Sequence, residues 1–264
     1  MTSAPAAITL DLWHTLVYLT PQDEEAYMLS QMDLATTVLE QAAELPGASL
    51  RPRAELHKIF QAVYGEAVAA SQRGESVPPP EQLVRAAERG GRVAETEVYL
   101  EGLRRLVAAT PFKLGPGALE TLREIRSRGW RTAVISNTVG EPGATLRPTL
   151  RAMGFDDLVE EWVFSDEHPW TKPSPQIFHE ALGRLGVAPQ RAVHVGDGWP
   201  DIEGPRRAGM RGAVLYTGLQ TYGAQYQALF LPPGWESPKA EYQIHRLEAL
   251  PGIAERLFDG RGRK

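Results

Sequence analysis

The sequence predicts an α/β protein, a doubly wound parallel sheet core built from residues 1–20 and 111–264, with an all-helical module inserted at 21–110. Three observations predict it. From Ala118 onward helical and strand patterns take turns, as crossover connections between parallel strands require. Three short apolar strand patterns end in polar residues, at Asp11, at Ser136-Asn137 and at Asp197. The stretch between these two parts of the core carries helical periodicity and no convincing strand.

The elements follow in order. Ile8, Leu10 and Leu12, with Val17 just beyond, read as a buried strand, and Asp11 sits inside that apolar run where packing alone would not place a carboxylate. After Pro21 the pattern changes. Met28, Met32, Ala35, Leu39 and Ala42 recur at helical spacing, and Leu56, Phe60, Val63 and Ala67 do the same. Pro46-Gly47 separates these helices, Pro78-Pro79-Pro80 precedes a third at 81–89, and Glu95 to Ala109 supplies a fourth. The apolar stripes predict a small bundle with Tyr27, Tyr64 and Tyr99 in its core, and no site residue is expected from it.

Pro111 to Pro116 reads as the return linker. Helix Ala118–Arg128 is closed by Gly129 and leads into strand Arg131–Ser136. Then follow helix Arg147–Met153, strand Val159–Phe164, helix Pro175–Leu185, strand Ala192–Val195, helix Pro200–Ala208 and strand Gly212–Tyr216. Farther on, Leu231-Pro232-Pro233-Gly234 breaks any element, Tyr242 to Leu247 reads as a late strand and Ile253 to Phe258 as a last helix. Trp235 and Tyr242 are read as packing residues, since no chemistry surrounds them. Such a doubly wound sheet is Rossmann-like, and its functional crevice lies beyond the carboxyl ends of the strands, where Asp11, Ser136-Asn137 and Asp197 fall.

Composition narrows the function. With 42% hydrophobic and 23% charged residues the chain is ordinary globular material. A net charge of -5, with the 28 basic residues scattered, argues against nucleic acid as partner. No apolar run is long enough to span a bilayer, and no basic residue precedes an apolar N-terminal segment, so a cytoplasmic protein, monomer or homodimer, is expected. The absence of cysteine excludes disulfides, thiolate metal sites and a cysteine nucleophile.

The chemistry concentrates in Gly196-Asp197-Gly198-Trp199-Pro200-Asp201, which sets two acids four residues apart across the passage from strand to helix. Taken singly, Asp11 can end a strand in a turn and Asp201 can cap a helix. Together, the carboxylates of Asp11, Asp197 and Asp201 in one crevice would repel one another unless a cation sat among them. Oxygen ligands without cysteine favour Mg2+, which tends to bind along with a substrate phosphate.

At this point the sequence resembles the haloacid dehalogenase superfamily of hydrolases, over nearly everything up to Thr217. Asp11-Leu12-Trp13-His14-Thr15 is similar to that family's Asp-x-Asp-x-Thr except at the second Asp, and Val134-Ile135-Ser136-Asn137 to its strand ending in Ser or Thr. Thr171-Lys172-Pro173 matches its lysine before a helix, and Gly196 to Asp201 its Gly-Asp-x-x-x-Asp. The insertion looks like the family's helical cap domain. The resemblance implies that Asp11 is the nucleophile, forming an aspartyl-phosphate, and that Asp11, Asp197, Asp201 and the backbone carbonyl of Trp13 hold Mg2+. It implies Ser136 and Lys172 as ligands of the phosphoryl oxygens, with Thr15 and Asn137 as supporting donors, and a small phosphorylated substrate.

The departure is Trp13, which stands where family phosphatases carry the acid that protonates the leaving group; an indole exchanges no proton. Phosphomonoester or acyl phosphate hydrolysis is then expected to favour good leaving groups. His14, where the family pattern has glycine, could exchange protons but reads as structural. Two alternatives stand beside this reading. One is a 2-haloacid dehalogenase, whose relatives carry an aromatic at the Trp13 position and attack carbon with the same Asp, but without metal and without the Gly-Asp of the fourth motif. The other is a binding or regulatory protein impaired in turnover.

Overall fold

The computed structural model describes residues 5–219 and 240–259; the break expected at Leu231–Gly234 and the packing role read for Trp235 lie outside the described residues. The chain runs through β1 (Ala7–Leu10), β2 (Val17–Tyr18), α1 (Pro21–Gln41), α2 (Arg53–Gln72), α3 (Pro79–Gly90), α4 (Thr96–Ala109) and β3 (Lys113–Leu114). It continues through α5 (Ala118–Ser127), β4 (Arg131–Ser136), α6 (Gly143–Ala152), β5 (Glu161–Phe164), α7 (Pro175–Leu185), β6 (Ala192–Gly196), α8 (Pro200–Arg207), β7 (Gly212–Tyr216), β8 (Tyr242–Ile244) and α9 (Leu250–Phe258).

Six strands pair in parallel in the order β5-β4-β1-β6-β7-β8. Their side chains alternate between two layers, as the period of a strand demands. Ile8, Leu10, Val134, Val193 and Val195 pack with Leu122 and Ile125 of α5 and Ile253 and Leu257 of α9. Ala7, Ala133, Ile135, Val163 and Ala192 pack with Ile177, Phe178, Ala181 and Leu182 of α7. Each large aliphatic side chain so buried contributes roughly 1.5–3 kcal/mol. From the central β1 the chain winds outward through β4 and β5, then crosses to β6 on the other side. The switch point is therefore the crevice beyond β1, β4 and β6, the three strands that carry the polar ends.

Helices α1 to α4 share a separate apolar cluster, with Ala35, Leu39, Leu56, Phe60, Val63, Leu83, Ala86 and Leu103 among its members. Helix α1 starts where Thr20 Oγ1 accepts the Asp23 N–H at 3.2 Å, with Pro21 in its first turn and Asp23 and Glu24 beside the positive helix end. Of the tyrosines expected in the bundle core, Tyr99 lies there; Tyr64 is half-buried, and Tyr27 packs with the sheet-side cluster, edge-on to Phe112 at 5.6 Å. Tyr27 belongs to the first turns of α1, which lie over the junction with the core rather than inside the bundle.

That junction holds a feature the sequence did not predict. The expected linker Pro111–Pro116 contains β3, which pairs antiparallel with β2, so the outgoing and returning chain form one ribbon. Gly115 donates to the Leu16 carbonyl at 2.7 Å, and a Cβ on Gly115 would meet the Thr15 carbonyl oxygen at 2.4 Å. Helix α6 also begins earlier than expected, because Asp166 Oδ1 accepts the N–H of Gly143 at 3.0 Å and fixes its first turn. No helix among the described residues is long and apolar enough to cross a membrane.

Candidate active site

Register brings the polar strand ends together. Leu10 pairs with Val134 on one side and Val195 on the other, and the Asp11 N–H extends the ladder by donating to the Val195 carbonyl at 2.9 Å. Ser136 closes β4, Asp197 follows β6, and Asp201 lies in the first turn of α8. One carboxylate oxygen each of Asp11, Asp197 and Asp201 lies within 4.8 Å of the others. Gly196 makes room: a Cβ there would sit 2.3 Å from the Asp201 carboxyl carbon.

Lys172, in the turn before α7, sends its Nζ to Asp11 Oδ1 and, at 2.6 Å, to Asp201 Oδ1. Asp201 Oδ2 accepts the Gly198 N–H at 3.1 Å, while among the described residues Asp11 Oδ2 is met by Thr15 Oγ1 at 3.5 Å, a weak bond. Thus the Asp11 carboxylate keeps one oxygen lightly engaged. Burial pushes the Asp11 carboxyl up to about 7 against the pull of Lys172, with Asp201 and Asp197 adding repulsion. Burial also opposes charge on Asp201 and on Lys172, yet for each the opposite charges win. Asp201 is held well below the usual carboxylate range by Lys172 and His194, and Lys172 above the usual lysine range by Asp11 and Asp201.

On the neighbouring strand, Ser136 Oγ is fully buried and has no hydrogen-bond partner among the described residues. A buried hydroxyl left so costs about 1–3 kcal/mol, which a phosphoryl oxygen would recover. Asn137, expected as a supporting donor, holds the backbone of Lys172. Its Oδ1 accepts the Lys172 N–H at 2.8 Å and its Nδ2 donates to the Lys172 carbonyl at 2.9 Å, so its amide clamps the backbone that presents the lysine.

Trp13 and His14 occupy the turn after Asp11. The Trp13 ring packs against Phe112, centroids 5.4 Å apart. His14 adopts φ +54, the left-handed region that glycine enters without penalty. Its direction, open in the sequence, is towards the crevice: Nδ1 lies 3.8 Å from Asp197 Oδ2 and Nε2 lies 2.9 Å from Glu24 Oε1. Burial opposes charge on the His14 ring, but the adjacent Glu24 carboxylate and the Asp197 charge raise its pKa overall. Glu24 belongs to α1, so the inserted helices, from which no site residue is expected, reach the turn after Asp11 through this acid.

A family model of haloacid dehalogenase-like hydrolases matches residues 5–209. The chain belongs to that family. Among curated relatives, it is 42% identical over 100 residues to haloacid dehalogenase-like hydrolase domain-containing protein 3 of Homo sapiens, covering 38% of each chain. It is 37% identical over 107 residues to glyceraldehyde 3-phosphate phosphatase of Methanothermobacter thermautotrophicus, 39% of this chain and 45% of the relative. These matches therefore span less than half the length of either relative. Among solved structures, the 2-haloacid dehalogenase of Pseudomonas syringae pv. Tomato DC3000 superposes with a TM-score of 0.60 at 24% identity, covering 96% of this chain and 99% of the other. That likeness shows the shared fold.

In this haloacid dehalogenase-like hydrolase two further buried polar residues stand behind the acids, and sequence reasoning passed over both. His194 Nε2 lies 3.1 Å from Asp201 Oδ1, and His194 Nδ1 lies 2.8 Å from Thr9 Oγ1. The clue was available: Thr9 and His194 each interrupt an otherwise apolar strand, as Asp11 does.

Proposed function

We propose that this hydrolase cleaves small phosphomonoesters or acyl phosphates through an aspartyl-phosphate on Asp11, with Mg2+ as its cofactor. One observation carries the reading: three acids from two distant parts of the chain meet beside a buried lysine, with a serine hydroxyl on the adjoining strand that has no partner among the described residues. The donor set fits a hard divalent ion, since every ligand is oxygen and three carboxylates face one ammonium. Asp11, Asp197, Asp201 and the Trp13 backbone carbonyl would hold it. Bound there, Mg2+ supplies positive charge to the phosphoryl oxygens and offsets the repulsion among the acids.

The chain's own groups do the rest. Asp11 Oδ2 attacks phosphorus, the bond to the leaving oxygen breaks, and water then cleaves the acyl phosphate to release phosphate and restore the carboxylate. Lys172 has two of its three N–H donors on Asp11 and Asp201, which leaves one for the substrate, and Ser136 Oγ offers a second contact. Trp13 can protonate nothing, so the leaving group departs on its own acidity; loss of a general acid costs about 10² to 10⁴ in rate. Acyl and aryl phosphates are the substrates that feel this least. Residues 21–110 act as a cap over the crevice, in contact with it through Glu24. Attack on the carbon of a haloacid would suit Trp13 but leaves Asp197 without a use.

Hydrolysis of acetyl phosphate and p-nitrophenyl phosphate with and without Mg2+ tests the proposal. Mg2+-dependent phosphate release that Asp11→Asn abolishes is the expected result. No release from either substrate overturns it, and metal-independent chloride release from a 2-haloacid would replace it with the dehalogenase reading.

A further inference from the structure

Asp201 is crowded for an acid. Its Oδ1 accepts from Lys172 Nζ at 2.6 Å and from His194 Nε2 at 3.1 Å, and its Oδ2 accepts from the Gly198 N–H at 3.1 Å. It is thus the joint between the lysine, the loop after β6 and a histidine that touches no other member of the site. His194 has zero exposure on the central strand β6. Its register partner across the parallel ladder is Thr9 of β1, also with zero exposure, whose Oγ1 lies 2.8 Å from His194 Nδ1. Phe178 of α7 meets the imidazole edge-on at 5.1 Å.

These contacts set the direction of every proton. An ionised carboxylate only accepts, so Nε2 carries the ring hydrogen and donates it to Asp201. Nδ1 is then an acceptor, and the Thr9 hydroxyl donates to it. A neutral ring with both nitrogens satisfied, held edge and face by two strands and a phenyl group, has one orientation. It passes that orientation to Asp201, and Asp201 passes it to the lysine that bonds the nucleophile.

We propose that His194, locked by Thr9, is a positioning residue that fixes the Asp201 carboxylate and through it Lys172, within the phosphoryl-transfer site proposed above. A histidine that merely satisfied itself in the core could be replaced by any side chain that fills its volume. A positioning histidine requires a donor at the Nε2 position. Outer residues that orient a metal-site or catalytic ligand typically change affinity or activity on the order of 10- to 100-fold when removed.

Three variants separate the two cases: His194→Leu, which fills space without a donor, His194→Gln, whose Nε2 can donate to Asp201, and Thr9→Val, which frees Nδ1. Each is measured for kcat and KM on p-nitrophenyl phosphate with Mg2+ and for Mn2+ affinity by electron paramagnetic resonance, with thermal unfolding as the check on folding. The expected result for His194→Leu is a fall of roughly 10- to 100-fold in kcat, little change in KM, and weakened Mn2+ binding. His194→Gln restores most of both, and Thr9→Val shows a smaller loss of the same kind. Folded His194→Leu with wild-type kcat and Mn2+ affinity overturns the inference, as do equal losses in the Leu and Gln variants. If His194→Leu does not fold, Thr9→Val decides: unchanged kcat and Mn2+ affinity refute the relay. Should the wild type hydrolyse neither test substrate, the functional reading falls, while Mn2+ affinity across the variants still decides the role of His194.

Discussion

Replacing Asp11 by Asn puts a sign on the electrostatics of the crevice. In the folded, metal-free protein burial raises the Asp11 carboxyl from 3.8 to about 7, so the folded state binds its proton more tightly than the unfolded chain. The stability this contributes is complete below the unfolded value and is lost as pH rises through the folded one. A shift of about 3 pH units at roughly 1.4 kcal/mol each amounts to about 4 kcal/mol, lost between about pH 4 and pH 8. Lys172 is raised from 10.5 and Asp201 lowered from 3.8, so their contributions change outside that window. Glu141 titrates within it but is present in both proteins and largely cancels in the difference, while the smaller Asp11 contribution to the raised His14 is lost with the carboxylate. Asparagine mimics the protonated acid and carries no charge at any pH. In EDTA, Asp11→Asn should match the wild type near pH 4 and exceed it by about 4 kcal/mol near pH 8, a Tm gain on the order of 10 °C. Saturating Mg2+ should close most of that gap by stabilising the wild type. Calorimetry across the pH range measures this. If Asp11→Asn were less stable by a constant amount above about pH 5, with the gap closing at lower pH, Asp11 would be an ordinary ion-paired carboxylate, and the acids would need no cation.

Other perturbations separate catalysis from folding. Ser136→Ala removes a buried hydroxyl that has no partner among the described residues, so stability should hold or rise by about 1–3 kcal/mol while kcat/KM falls roughly 10- to 100-fold; a lowered Tm with unchanged kinetics contradicts the assignment. Trp13→Asp should raise turnover of alkyl phosphates more than of acetyl phosphate, and should lower stability by about 1–2 kcal/mol through the lost contact with Phe112; equal effects on both substrates would show that proton transfer is not limiting. Glu141, buried and bonded by Gln31 at 2.7 Å, is raised from 4.5 to about 7, so its stability contribution is lost as pH rises through 7. Glu141→Gln should therefore be more stable than the wild type by about 3 kcal/mol near pH 8 and level with it near pH 4 in urea denaturation.

The sheet was legible because its strands are short apolar runs whose polar ends break the pattern. Asp11, Ser136 and Asp197 announce themselves by standing where packing has no use for them, and the parallel register then brings their strands side by side. The β2–β3 ribbon was not legible: two residues on each side carry no periodicity, and their partners lie almost a hundred residues apart along the chain. Asn137 shows a subtler limit. Its type and position fit a supporting phosphate donor, yet an amide bonds equally well to a peptide, and only coordinates reveal that it also holds the Lys172 backbone at both ends. Glu24 was hidden for a related reason, because an acid in a first helical turn already has a sufficient explanation.

Trp13 brings these lines together. Its ring meets Phe112 at 5.4 Å, and Phe112 in turn meets Tyr27 of α1 at 5.6 Å, so three aromatics link the loop after the nucleophile, the returning ribbon and the first helix of the insertion. Each such pair contributes about 0.5–1.5 kcal/mol beyond the area it buries. In the turn that follows, His14 adds a polar link to the same helix through Glu24. The loop that in family phosphatases presents a proton carrier here fastens the helical module to the sheet. Loss of the acid and gain of the anchor are one substitution: the side chain that can carry no proton is the one that meets Phe112.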